Sequence, residues 1–137
     1  MFAKIMLPVD LAHADGLGKS IEMATEIAKS HGASLTLVGV TGTGPGEVAA
    51  TPEGYAQKLD GFANDLAGKS GISVAAKSIQ DNDVAADLGG VLVDTAKDLD
   101  ADLIVMASHV PGMLDHVFSS NAGYVASHAT CSVAVVR

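Results

Sequence analysis

The residues best equipped for chemistry stand just after apolar runs. Pro8-Val9-Asp10 closes the first run, and Met106-Ala107-Ser108-His109-Val110 closes the fourth. Ser119-Ser120-Asn121 opens the pattern that follows. A carboxylate at a strand end can hold a ribose hydroxyl or Mg²⁺. Hydroxyl and amide side chains at a helix start sit among free N–H groups, which receive a phosphate without any basic side chain. In an open α/β sheet, ligands bind beyond the carboxyl ends of the strands, where the strand order reverses. Together these residues suit a nucleotide. Each also has an ordinary structural use: Asp10 can cap a turn, and Ser119, Ser120 and Asn121 can cap a helix.

Other chemistries fail on spacing. Ser108 and His109 are adjacent, so on extended backbone they point to opposite sides and form no nucleophile–base pair. No Gly-x-Ser-x-Gly elbow exists for a serine hydrolase. Gly18-Lys19-Ser20 mimics the end of a Walker phosphate loop, but His13 stands where its first glycine is needed. Gly42-Thr43-Gly44-Pro45-Gly46 is followed by Glu47, so it is not a dinucleotide fingerprint and reads as a mobile loop from Thr41 to Thr51. His109 and His116 are seven apart, and no two histidines share a helical i, i+4 spacing, so no metal site is expected. Cys131 is the only cysteine, which excludes a disulfide framework and suits a small buried hydrophobe.

The elements that must position these residues alternate in type. Lys4–Val9, Ser34–Val40, Ile72–Ile79, Leu103–Ala107 and Ser132–Val136 are short apolar runs. Continuous runs of this length suit parallel strands covered on both faces. Between them, Leu17, Ile21, Ala24 and Ala28 fall on one helical face, with Gly32 placed as a stop. Tyr55, Leu59, Phe62 and Leu66 repeat that spacing. Val84, Leu88, Val91, Thr95 and Leu99 repeat it again, with Asp81 or Asp83 as N-cap. Ala122, Val125, Ala126 and Ala129 form a shorter stripe, whose helix is expected to begin near Ser119. Strict β-α alternation predicts one three-layer α/β domain over residues 1–137, a parallel sheet with helices on both faces and right-handed crossovers.

Charge narrows the partners. Sixteen acids oppose eight lysines and arginines, for a net −8, and the only arginine is Arg137. No basic run exists to neutralise phosphates, so nucleic acid and an anionic membrane surface are excluded as partners. No apolar run approaches the ~20 residues of a spanning helix. The apolar stretch before Pro8 is too short for a signal peptide, and a cytoplasmic protein is expected.

Several strings carry a family resemblance. They are Ile5-Met6-Leu7-Pro8-Val9-Asp10, Ala101-Asp102-Leu103-Ile104-Val105-Met106, Met106-Ala107-Ser108-His109-Val110-Pro111, Ser119-Ser120-Asn121-Ala122 and the closing His128-Ala129-Thr130-Cys131-Ser132-Val133-Ala134-Val135-Val136-Arg137. The chain resembles the universal stress protein (UspA) family over its whole length, and its motifs are most similar to the UspF/UspG branch. The resemblance implies a Rossmann-like, adenine nucleotide α-hydrolase-like sheet of order 3-2-1-4-5. It implies a homodimer, often built by pairing the last strands antiparallel, which places Val133, Val135 and Val136 at the seam. It implies adenine near Asp10 and Val40. It also implies phosphates on a Gly-x-x-Gly-x9-Gly-Ser/Thr loop, here Met106 to Val110 and Ser119 to Asn121. This chain departs from that loop: its glycine positions read Ala107, Val110 and Ser119, and the spacer has eight residues. The nearest relatives in motif carry Arg at the position of Val110 and Gly at that of Ser119. Valine disfavours the positive-φ conformations that glycine permits.

The leading expectation is a small stress-response protein whose Pro8, Val9, Asp10, Val40, Met106–Val110 and Ser119–Asn121 bind ATP or AMP, with any accompanying Mg²⁺ held through Asp10. Its output would be a conformational or oligomeric state read by protein partners. The alternative is a dimeric interaction module with a degenerate phosphate loop and no nucleotide. A third reading is a slow ATPase or self-phosphorylating protein, with Ser108, Ser119 or Ser120 as acceptor.

Overall fold

The computed structural model describes residues 1–108 and 115–137, with side chains throughout those ranges except at 115–120. Five parallel strands, β1 (Lys4–Pro8), β2 (Ser34–Thr41), β3 (Val74–Gln80), β4 (Leu103–Ala107) and β5 (Ser132–Val136), stand in the order β3-β2-β1-β4-β5. This is the expected topology. Successive strand residues face opposite sides of the sheet, so each strand feeds two cores. Ile5, Leu7, Leu35, Leu37 and Val105 pack under helices α1 (Gly18–His31) and α2 (Pro52–Ser70). Met6, Val38, Ile104 and Met106 pack under α3 (Val84–Asp98) and α4 (Asp115–His128). Every residue of β4 is buried, which is why its run is apolar throughout.

The helix ends follow local chemistry. Gly32 closes α1 at φ 65° and Gly71 closes α2 at φ 74°, and their N–H groups donate to Ala28 and Ala67 carbonyls. A side chain would be strained at either position. The Thr51 hydroxyl accepts from Gly54 N at 3.0 Å and caps α2. Of the two expected caps for α3, Asp83 takes the role, accepting from Ala86 N, while Asp81 accepts from Asp83 N.

Three boundaries differ from expectation by more than one residue. A 3-10 segment, Leu11–Leu17, joins β1 to α1, with a break at His13 (φ −130°, ψ 34°). Its apolar residues are too few and too tightly spaced to signal a helix. β3 begins at Val74 rather than Ile72, because Gly71 has only just turned the chain out of α2. α4 begins at Asp115, not near Ser119, so Ser119, Ser120 and Asn121 lie within the helix. Ser-Ser-Asn reads as a cap in sequence, but Asp115 is equally suited to a helix N-terminus. Residues 42–51 form no helix or strand; Gly46 N donates to Ala49 O and Lys58 Nζ to Val48 O. Among the described residues no helix is long and apolar enough to cross a membrane.

Candidate functional site

The site begins with a missing hydrogen-bond donor. β1 pairs with β2 along its whole length, from Lys4↔Ser34 to Pro8↔Val38. With β4 it pairs only at Ile5↔Leu103 and Met6↔Ile104. In a parallel strand the N–H and C=O of alternate residues face alternate neighbours. The Val9 N–H donates to Val38 on β2, while the Lys4 carbonyl accepts from Asp102 N beside β4. Even-numbered residues of β1 therefore serve β4, and Pro8 is the next even position. Proline has no N–H, so the ladder stops short of the carboxyl ends of β1 and β4. Beyond this point β1 leads to α1 on one face and β4 leads to α4 on the other. The crevice is the reversal point at which the sequence reading places a ligand.

Asp10 stands on the β1 lip. Its Oδ1 accepts from Ala12 N at 3.1 Å, which caps the 3-10 segment. Its Oδ2 lies 3.1 Å from Nδ1 of His13, and both side chains are partly exposed. Asp10 is thus both the cap that its sequence context allows and a partly exposed carboxylate just beyond β1, with a partner on each oxygen. The sequence reading did not single out His13. The Asp-x-x-His spacing at a turn is the only signal that would have found it.

Tyr55 is the second residue missed. The helical stripe marked it as core, and it is 6% exposed. Yet its ring lies across Gly39 of β2: a Cβ at Gly39 would fall 2.4 Å from the Tyr55 hydroxyl oxygen. Burial, then the Asp10 charge, push the Tyr55 hydroxyl up to about 12. It is therefore a neutral donor at physiological pH. Val40, next to Gly39, is half-buried against the α3–α4 core and pairs with Ile79.

On the β4 lip, Met106 and Ala107 are buried. Ser108 N and Ser108 Oγ both donate to Val136 O, at 2.8 and 3.2 Å, so that hydroxyl is engaged by β5. His109 and Val110 lie outside the described residues, as do the side chains of Ser119 and Ser120. The structure therefore brings Pro8, Val9 and Asp10 to one lip, Met106 to Ser108 to the other, and Val40 to the flank. Among the described residues no group of three or more His, Cys, Asp or Glu side chains is placed to hold a metal. Asp10 alone could offer a carboxylate to Mg²⁺ carried by a phosphate. Cys131 is half-buried, and its loss of water pushes the thiol up, away from the reactive thiolate.

The β5 edge bears on assembly. Val133 and Val136 are half-buried against the two cores, whereas Val135 is 44% exposed on the outer strand.

Comparison with known proteins agrees with this architecture. The Universal stress protein family matches residues 1–137, and the chain belongs to that family. Universal stress protein G of Salmonella typhimurium is 27% identical over 146 residues, covering all of both chains. A universal stress protein solved in complex with cAMP superposes with a TM-score of 0.73 at 17% identity, over 99% of this chain and 97% of the other. The universal stress protein of Archaeoglobus fulgidus in complex with dAMP gives a TM-score of 0.71 at 21% identity, over 98% of each chain. At these identities the solved structures establish the shared fold.

Proposed function

We propose that this chain binds an adenine nucleotide at the carboxyl ends of β1 and β4, and acts as a nucleotide-dependent stress-response protein. The observation that carries the reading is the early end of the β1–β4 ladder at Met6↔Ile104, with Asp10 at its lip. Solved members with cAMP and dAMP share the fold, which supports adenine as the base. Asp10 takes the ribose hydroxyls, with Val40 against the base and the backbone of 106–110 near the phosphate. A nucleoside monophosphate fits this chain better than ATP. Ala107, Val110 and Ser119 replace the glycines that would let backbone wrap a triphosphate, and the loop contains no lysine or arginine. ATP, with Mg²⁺ held partly through Asp10, is the weaker ligand.

Homodimerisation through the β5 edge is part of this proposal. An exposed apolar edge strand is a template for pairing with a second chain, and Val135 is well placed at such a seam. The cytoplasmic setting and partners that read the bound state follow the same reading. Calorimetric titration of nucleotide-stripped protein with AMP, ATP and GMP tests it. Saturable AMP binding, weaker ATP binding and no GMP binding are expected. A folded protein that takes none of the three favours the interaction-module alternative instead.

A further inference from the structure

Tyr55 carries a hydroxyl that the fold does not use. The residue is only 6% exposed, yet among the described residues its hydroxyl has no hydrogen-bond partner. No fully buried polar side-chain atom lacks a partner among them, so the Tyr55 oxygen keeps an opening to solvent. Phenylalanine would fill the same space without leaving a donor unpaired.

The position of this hydroxyl is fixed. Tyr55 stands at the end of the first turn of α2, where its N–H donates to Thr51 O at 3.0 Å. Its oxygen lies over Gly39, 2.4 Å from where a Cβ would stand, so any side chain there would push the ring aside. The ladder register places Gly39 relative to β1. Pro8 pairs with Val38, and Val9 N donates to Val38 O at 2.8 Å. Continuing that register sets Gly39 beside Val9, one residue before Asp10. Val9 and Tyr55 belong to the same core, on the same face of the sheet. The hydroxyl therefore stands where β1 and β2 end, close enough to Asp10 to feel its charge. The Asp10 oxygens are taken by Ala12 N and His13 Nδ1, and neither takes the Tyr55 hydroxyl.

We propose that Tyr55 is a specificity-determining residue, whose hydroxyl donates to the 2′-hydroxyl of a bound ribonucleotide and selects it over the 2′-deoxy form. This rests on the reading that an adenine nucleotide lies at the carboxyl ends of β1 and β4. In that reading the base lies against Val40 of β2, the ribose at Asp10 and the phosphate near β4. The 2′-hydroxyl stands on the carbon next to the one that bears the base. The 3′-hydroxyl stands one carbon nearer the phosphate. Tyr55, over β2, is on the base side of Asp10, so the 2′-hydroxyl is the one that meets it. That hydroxyl accepts from Tyr55 and donates to Asp10. A site that pairs a ligand hydroxyl rejects the analogue lacking it, because its own polar groups are then left unpaired.

Calorimetry and amide shifts with the full, nucleotide-stripped chain test this, using AMP, 2′-deoxy-AMP and 3′-deoxy-AMP. In the unaltered protein AMP should bind about tenfold or more tighter than 2′-deoxy-AMP, with a smaller loss for 3′-deoxy-AMP. Tyr55→Phe keeps the ring and its packing. It should cut the preference for AMP over 2′-deoxy-AMP by about three- to tenfold, the worth of one net hydrogen bond. The preference over 3′-deoxy-AMP should stay as it was. A tyrosine that only packs would move the affinities for all three nucleotides together, and that result would overturn the proposal. Equal binding of AMP and 2′-deoxy-AMP by the unaltered protein would overturn it too. With AMP still shifting the Val9 and Asp10 amides, either result leaves the nucleotide site standing; no AMP binding at all overturns both. The comparison in the unaltered protein needs no variant, so a poorly folding Tyr55→Phe leaves the test intact.

Discussion

Nδ1 of His13 stands 3.1 Å from Oδ2 of Asp10, so one oxygen of the lip carboxylate is already engaged before any ligand arrives. The other oxygen takes Ala12 N. A ribose hydroxyl must share or displace these partners. His13→Ala frees Oδ2 and is expected to tighten AMP binding by about three- to tenfold, the worth of one net hydrogen bond. Asp10 keeps its Ala12 contact in this variant, so the fold should hold. Calorimetry of the two proteins under one buffer checks it; weaker binding in His13→Ala would make the imidazole a ligand contact instead.

Pro8→Ala restores an N–H that points toward β4. The ladder gains one bond, worth about 1 kcal/mol, while the unfolded chain gains a comparable freedom that proline denied it. Stability should barely move, yet the crevice should narrow and AMP affinity should fall. Hydrogen exchange checks the cause directly: the new amide at position 8 should be protected.

Tyr55 links stability to alkaline pH. Its hydroxyl titrates near 12 in the folded chain, against 10.0 for the free side chain. The folded state holds the proton more tightly, so this contribution is complete below pH 10 and is lost as pH rises toward 12. Tyr55→Phe should flatten the fall in stability across that window, seen as a shallower decline in denaturant midpoint. An unchanged slope would place the titration elsewhere.

Val135→Lys puts a charge on the exposed face of the outer strand. Charged edge residues block strand-to-strand pairing. Val135 is half-exposed, so folding should survive with a change within about 1 kcal/mol. Sedimentation should report a dimer for the parent and a monomer for the variant.

Much of this architecture is readable from the chain. Fully apolar runs such as Leu103–Ala107 signal strands buried on both faces, and Gly32 ends a helix where only glycine sits easily. Asp10 and Pro8 were visible as strand-end residues. What Pro8 does was not, because its effect depends on which neighbour its missing N–H faces, a matter of sheet order and register. His13 and Tyr55 were hidden for similar reasons. Tyr55 reads as one more apolar stripe residue, and only β2 packing shows that Gly39 makes room for its ring. The start of α4 was misplaced because Ser-Ser-Asn and Asp115 are both good N-terminal residues and local sequence does not choose between them.

The central claim is the location of the nucleotide, and amide shift mapping with AMP tests it most directly. Saturable shifts are expected at Val9, Asp10, Val40, Thr41 and residues 106–108, largely abolished in Asp10→Ala. Shifts absent from these amides in a folded protein, or unchanged by Asp10→Ala, would contradict it.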